Sequence, residues 1–169
     1  MIKTTDRITH CHVSSPWGIL LQLSPHFTII PYTATLTESN EFISNIFTPA
    51  QEEPLTELAV QVLEPTRRHF GKPIAISSGY RSKELCLAIG SSENSQHAKG
   101  EAADFECFGV DNKELAKYIK NNLVFDQLIL EFYNPDDPSS GWVHCSYSKE
   151  ENRKQSLLYN GKDYTEWLT

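Results

Sequence analysis

The residues best suited to chemistry gather in Ser95-Gln-His97-Ala-Lys-Gly100-Glu-Ala102-Ala-Asp104. His97 offers an imidazole, a ligand for a borderline-soft cation, seven residues before the Asp104 carboxylate. Gly100 permits the tight turn between them. Along a strand beginning at Ala102, period-2 alternation sets Ala102, Asp104 and Glu106 on one face. Ala102 leaves room there and Asp104 supplies an oxygen. A third ligand must come from elsewhere, and His144 in Trp142-Val-His144 is the best candidate, grouped by alternation with Trp142 and Ser146. Two histidines and one aspartate leave a fourth tetrahedral position open, the arrangement of a catalytic Zn2+ site. A His–Asp pair taken alone is more often a structural hydrogen bond, and six histidines in the chain make such pairs common.

A hydrolytic zinc site needs a base. Glu131 closes Gln127-Leu-Ile-Leu-Glu131 and shares a strand face with Gln127 and Ile129. If that strand pairs antiparallel with Trp142–Tyr147, Glu131 comes near His144; the alternative is a surface carboxylate at a strand end. Asp126, Asp136 and Asp137 are fallback bases. Arg81, in Ser78-Gly-Tyr80-Arg81-Ser82, presents a guanidinium fork that grips a substrate carboxylate or pairs with an acidic side chain of the protein. Ser78 and Gln96 either orient a substrate or satisfy loop backbone. Tyr80 and Trp142 either wall the pocket or pack in the core.

These residues need elements to hold them. Leu55, Leu58, Ala59, Val62, Leu63 and Phe70 keep a helical rhythm, which predicts a helix over 52–70 stopped by Gly71-Lys-Pro73. A strand at Ile74–Ser77 and a helix capped by Ser82 and running to Ile89 follow. Gly90 and the polar Ser91–Gln96 form a loop with His97 at its end. Ala102–Phe108 reads as a strand, and Asp111 or Asn112 caps a helix to about Asn122. Phe125–Tyr133 and Trp142–Tyr147 read as strands joined by the turn-rich Asn134–Gly141, with an edge strand at Leu157–Tyr159. Leu23 onward is a polar, Thr-rich stretch without helical period. The order predicts an α+β fold: a small antiparallel sheet with helices on one side. Residues 1–22 read as an extension of unknown role before a single domain, 23–169.

The string HxxGxAxD followed by Trp-Val-His resembles the D-Ala-D-Ala carboxypeptidase family of zinc peptidases. Its wider relatives include vancomycin-resistance dipeptidases, lysostaphin-type enzymes and the hedgehog signalling domain. The short phage and prophage branch is similar in order: Leu23-Ser-Pro-His-Phe27, a helix ending near Arg67-Arg68 and Phe70-Gly71, Ser78-Gly-Tyr-Arg-Ser82, the His–Asp motif, then Trp-Val-His. The resemblance implies a hedgehog/D-Ala-D-Ala peptidase-like fold, zinc on His97, Asp104 and His144, and Arg81 holding a substrate carboxylate. It also implies hydrolysis of an amide in peptidoglycan stem peptides, by a carboxypeptidase or an endolysin-like endopeptidase. Vancomycin-resistance relatives place a Glu three residues before the last His ligand, but here that position is Gly141; the phage branch resembles this chain in having Glu at the position of Glu131. The competing class is a zinc-containing binding module of the same fold without turnover.

The rest of the chain bounds these readings. A composition of 39% hydrophobic and 22% charged residues over 169 positions fits one globular domain. A net charge of −7 gives no footprint for nucleic acid. No apolar run approaches the roughly 20 residues of a spanning helix, so no membrane insertion is expected. Without an export signal the chain is expected to be cytoplasmic when made, and to reach the wall through a permeabilised membrane if it serves a phage. A monomer is expected. Cys11, Cys86, Cys107 and Cys145 lack metal or redox spacing and read as thiols, Cys11 beside His10 and His12 in an exposed tail.

Overall fold

Thr48 starts the longest helical stretch, accepting from Ala50 N at 3.3 Å while the Gln51 amide oxygen accepts from Thr48 N at 2.9 Å. This capping box, with Pro49 at the first helical position, moves the start three residues ahead of the predicted one at Glu52. The computed structural model describes residues 21–29, 32–36 and 42–167. Cys11, its flanking histidines and residues 1–20 of the expected extension lie outside them. The helix runs as α1 (Pro49–Leu58), a π-wound turn (Ala59–Leu63) and α2 (Glu64–Phe70), and Gly71 ends it in the left-handed conformation at φ 60°. The widened turn was not predicted. It sits just before Pro65, which has no N–H to give to the ladder.

The main sheet has six strands: β5 (Ile74–Ser78), β6 (Ala102–Cys107), β7 (Gln127–Glu131), β8 (Trp142–Ser146), β9 (Gln155–Tyr159) and β10 (Tyr164–Glu166), in the order β10-β9-β7-β8-β6-β5. Two small hairpins precede it, β1 (Leu21–Gln22) with β2 (Thr28–Ile29), and β3 (Tyr32–Leu36) with β4 (Phe42–Ile46). The Thr-rich stretch is therefore partly strand. The α+β class is as expected, with one departure: β9 lies parallel to β7. Antiparallel β8 ends beside the start of β7, and the chain crosses over there before β9 begins. Arg153 on that crossing donates to the Asp126 carboxylate from Nε at 2.7 Å and from its backbone N at 3.0 Å, so β9 starts at the same end as β7. β10 then covers β9, which is not the edge strand expected.

Alternation divides the sheet into two faces. Ala103, Phe105, Cys107, Leu128, Leu130, Val143 and Cys145 face a core closed by Leu58, Ala59, Val62 and Leu63 and by Leu115, Ala116 and Ile119 of α5 (Asn112–Asn122). Burying each large side chain contributes about 1.5–3 kcal/mol. The second face carries polar side chains. Among the described residues, no helix is long and apolar enough to cross a membrane.

Candidate metal centre

Strand register builds the site before any side chain is considered. Asp104 on β6 pairs directly with His144 on β8, and Ser78 on β5 pairs with Asp104. Directly opposed residues point to the same face. The register slips between Ile76 and Ser78, and this irregularity turns Ser78 onto the polar face after Ile74 and Ile76 have faced the core. His97 arrives from above the sheet. It sits in a short helix α4 (Gln96–Lys99), capped by Ser95 and following α3 (Lys83–Ala88), rather than at the end of a loop. Gly100 then turns the chain into β6 at φ 80°, with its Cα so close to α1 that an added Cβ would lie 2.9 Å from Gln51 O.

Three donor atoms converge. His97 Nε2 lies 3.2 Å from His144 Nδ1 and 3.2 Å from Asp104 Oδ1, and His144 Nδ1 lies 2.8 Å from Asp104 Oδ1. Bonds of about 2.0–2.1 Å at tetrahedral angles ask for ligand atoms roughly 3.3 Å apart, so the triangle fits zinc. The tautomer strengthens the case. His97 Nδ1 is 2.6 Å from the Gly79 carbonyl, which can only accept, so Nδ1 carries a proton and Nε2 is the nitrogen turned toward the other two donors. Lone pairs crowd together only around protons or a cation. All three residues are buried, at 3%, 6% and 8% exposure, which raises the cost of leaving them unpaired. Burial alone would raise the Asp104 carboxyl, but the hydrogen bonds and charge of His144 and His97 outweigh it and hold it well below the usual range.

Arg81 is engaged with the centre itself. Its guanidinium forms an ion pair with Asp104 Oδ2, while Nε donates to Ser78 Oγ at 2.7 Å. The ion-pair alternative for Arg81 is thus present, with Asp104, one of the three converging donors, as partner, and Ser78 braces the arginine. Gln96 is similarly committed, donating to Asp126 at 2.8 Å. Tyr80 packs edge-on against Phe47 at 6.1 Å, a wall position that is also packing. Trp142 is half-buried beside Phe132, ring centroids 5.0 Å apart, and its Nε1–H has no acceptor among the described residues.

Glu131 pairs with Trp142 across β7 and β8, one step along the face from His144. Burial raises its carboxyl pKa; His144 and Arg81 oppose that rise and Asp104 adds to it, so its charge is felt throughout the centre. Gly141 shows why no carboxylate stands at its position. At φ 67°, an added Cβ would fall 1.9 Å from Glu131 O. The fallback bases are placed otherwise. Asp126 is buried, and Arg153 holds its carboxyl down at about 2 against the effect of burial. Asp136 and Asp137 are exposed in the loop before β8, where Asp137 accepts from Ser139.

Two supports escaped sequence reasoning. Asn45 on β4 donates to Tyr80 O at 3.0 Å and accepts from Ser82 N at 2.6 Å. It clamps the loop that carries both Gly79 O and Arg81. Glu64 in α2, 2% exposed, accepts from Ser24 Oγ at 2.9 Å, His26 N at 3.0 Å and Arg67 Nε at 3.2 Å, stapling the Leu23–Phe27 turn to the core. Neither has a local spacing signal, because Asn45 reaches Tyr80 across 35 positions and Glu64 reaches Ser24 across 40. Cys86, Cys107 and Cys145 are buried free thiols, and burial pushes Cys107 up to about 11.

No curated protein matches the chain. The model of the family described as Peptidase M15 matches residues 32–146, about two thirds of its length, and the matched span contains Arg81, His97, Asp104, Glu131 and His144. Peptidases of that family depend on zinc, the metal that the gathered donors suit, and the chain belongs to the Peptidase M15 family.

Proposed function

We propose that the protein hydrolyses an amide bond in peptidoglycan stem peptides, with His97, Asp104 and His144 as zinc ligands and Glu131 as the general base. The observation that carries this reading is the place of Glu131: a half-buried carboxylate with a raised pKa, on the same sheet face as the three converging donors and one residue pair away. Zinc, when bound, supplies Lewis acidity, polarising a carbonyl and easing the ionisation of water near neutral pH. Glu131 takes one proton from the attacking water as its oxygen bonds to the scissile carbon. Glu131 then gives that proton to the amide nitrogen as the C–N bond breaks, so one carboxylate serves both half-reactions. Trp142 bounds the cleft beside it.

Arg81 has two tasks in this reading. Its bond to Asp104 Oδ2 keeps Oδ1 turned toward the imidazoles, the orienting role of an outer partner at a metal site. Its fork also provides the positive charge that a stem-peptide carboxylate needs, fixing the amide beside Glu131. The bond cut, by carboxypeptidase or endopeptidase action, follows from where that carboxylate lies relative to the amide.

Purified peptidoglycan incubated with the protein, with and without a chelator, tests this directly. Mass spectrometry of the soluble fragments should show new amino and carboxyl termini within the stem peptide, absent when chelator is present. A zinc-loaded protein that binds the wall and releases nothing would instead mark a binding module of the same fold.

A further inference from the structure

One row of the polar sheet face continues past the centre. Register aligns Trp142 of β8, Glu131 of β7, Tyr159 of β9 and Tyr164 of β10 side by side. At the strand spacing of about 4.8 Å, this row extends about 14 Å from β8 to β10, the last strand of the sheet among the described residues. Phe132, the residue after Glu131, joins it in an unusual way. Its φ is 54°, a left-handed conformation rare for an aromatic residue, and its N–H donates to Tyr159 O at 2.8 Å. Gly161 makes room for the ring, since a Cβ there would lie 2.8 Å from Phe132 Cε1.

Four rings therefore touch in sequence. Trp142 to Phe132 is 5.0 Å between centroids, Phe132 to Tyr159 is 5.3 Å, and Tyr159 to Tyr164 is 4.3 Å and stacked. They do not close into a core, because Phe132 stays 45% and Tyr164 59% exposed. Exposed aromatic rings held together at a catalytic face, one of them in strained backbone, mark a binding surface.

We propose that this strip is a stacking platform for the N-acetylated amino sugar to which a stem peptide is attached. The inference rests on the peptidase reading above. A peptide whose amide lies at Glu131 must continue along the sheet face, and the strip is continuous with Glu131 itself. Its chemistry selects the occupant. Flat π-faces attract the polarised C–H face of a pyranose ring, and the tyrosine hydroxyls at the rim suit a ligand edged with hydroxyls. The row's own charge is the Glu131 carboxylate, which favours a neutral sugar over a second carboxylate-bearing peptide.

Binding to the zinc-loaded Glu131→Gln full chain tests the platform without turnover. The probes are a disaccharide-linked stem peptide, the same peptide without sugar, and an N-acetylglucosamine oligomer, followed by tryptophan fluorescence and by saturation transfer from ring protons. The sugar-linked peptide should bind about tenfold tighter than the free peptide, the value of one or two good ring contacts. In the same background, Tyr164→Ala should erase that advantage and Tyr164→Phe should keep it. Saturation transfer to the oligomer should reach its sugar C–H protons.

Equal affinity for the two peptides overturns the proposal, as does an advantage that survives Tyr164→Ala. A concentration-dependent dimer that Tyr164→Ala dissolves, with no sugar effect, overturns it in favour of a second copy. The two readings fail separately. Wild-type cleavage without a sugar advantage leaves the peptidase and removes the platform, whereas a sugar advantage without cleavage does the reverse.

Discussion

Glu131 and Arg81 sit on either side of the converging donors and do different work. A raised carboxyl makes Glu131 a stronger base than an ordinary surface carboxylate, while Arg81 acts on the centre through Asp104. Glu131→Gln is nearly isosteric and touches none of the three donors. It should keep full zinc by elemental analysis and lose about 10²–10⁴-fold in turnover of stem peptides; a Gln variant with near-normal turnover removes Glu131 from the chemistry. Asn45 acts one layer further out, because the loop it clamps holds both the Gly79 carbonyl and Arg81. Asn45→Ala should weaken zinc about tenfold in a competition titration, as loss of outer-shell support does, while circular dichroism stays native. The convergence of His97, Asp104 and His144, with Glu131 on the neighbouring strand, was legible as residue types at known spacing. Asn45 was not, since its two bonds reach a loop more than 30 residues away.

Elements position these residues through a few backbone contacts of very small tolerance. The β7–β8 pairing depends on Gly141, whose left-handed φ and contact with Glu131 O leave no space for a side chain. Gly141→Ala should lower stability by more than about 2 kcal/mol in urea unfolding and depress activity with it, because Glu131 and His144 lie on the two strands it joins. Thr48→Ala, which removes only a helix cap, should cost about 1 kcal/mol and leave turnover intact. Sequence patterns located most of these elements. Period-2 alternation marked β6, β7 and β8, and the helix rhythm marked the stretch closing the core. The π-wound turn was hidden because it changes hydrogen bonding without changing the apolar pattern. The α4 turn was hidden because four residues are too few to show a period.

At the scale of the molecule, two couplings tie stability to the site and to pH. Zinc bound by buried donors stabilises only the folded state, so chelation should lower Tm, by an amount that grows with the free zinc of the reference sample. Asp126, depressed to about 2 by Arg153, fastens the crossing that sets β9 beside β7. Its stabilisation is complete above an unfolded pKa of about 3.9 and is lost as pH falls through about 2. The urea midpoint of the wild type should therefore drop between about pH 4 and 2, and Asp126→Asn should start lower and lose less over that window. The sequence by itself determined the donor types, their spacing, the alternation that puts Asp104 and His144 on polar faces, and the α+β class, because these follow from local period and side-chain chemistry. Only the tertiary structure decided that Arg81 pairs with Asp104, that β9 runs parallel to β7, and that a row of aromatic rings continues the face beyond Glu131. Those depend on register between strands distant in sequence, where a shift of one residue would turn every one of these side chains to the opposite face.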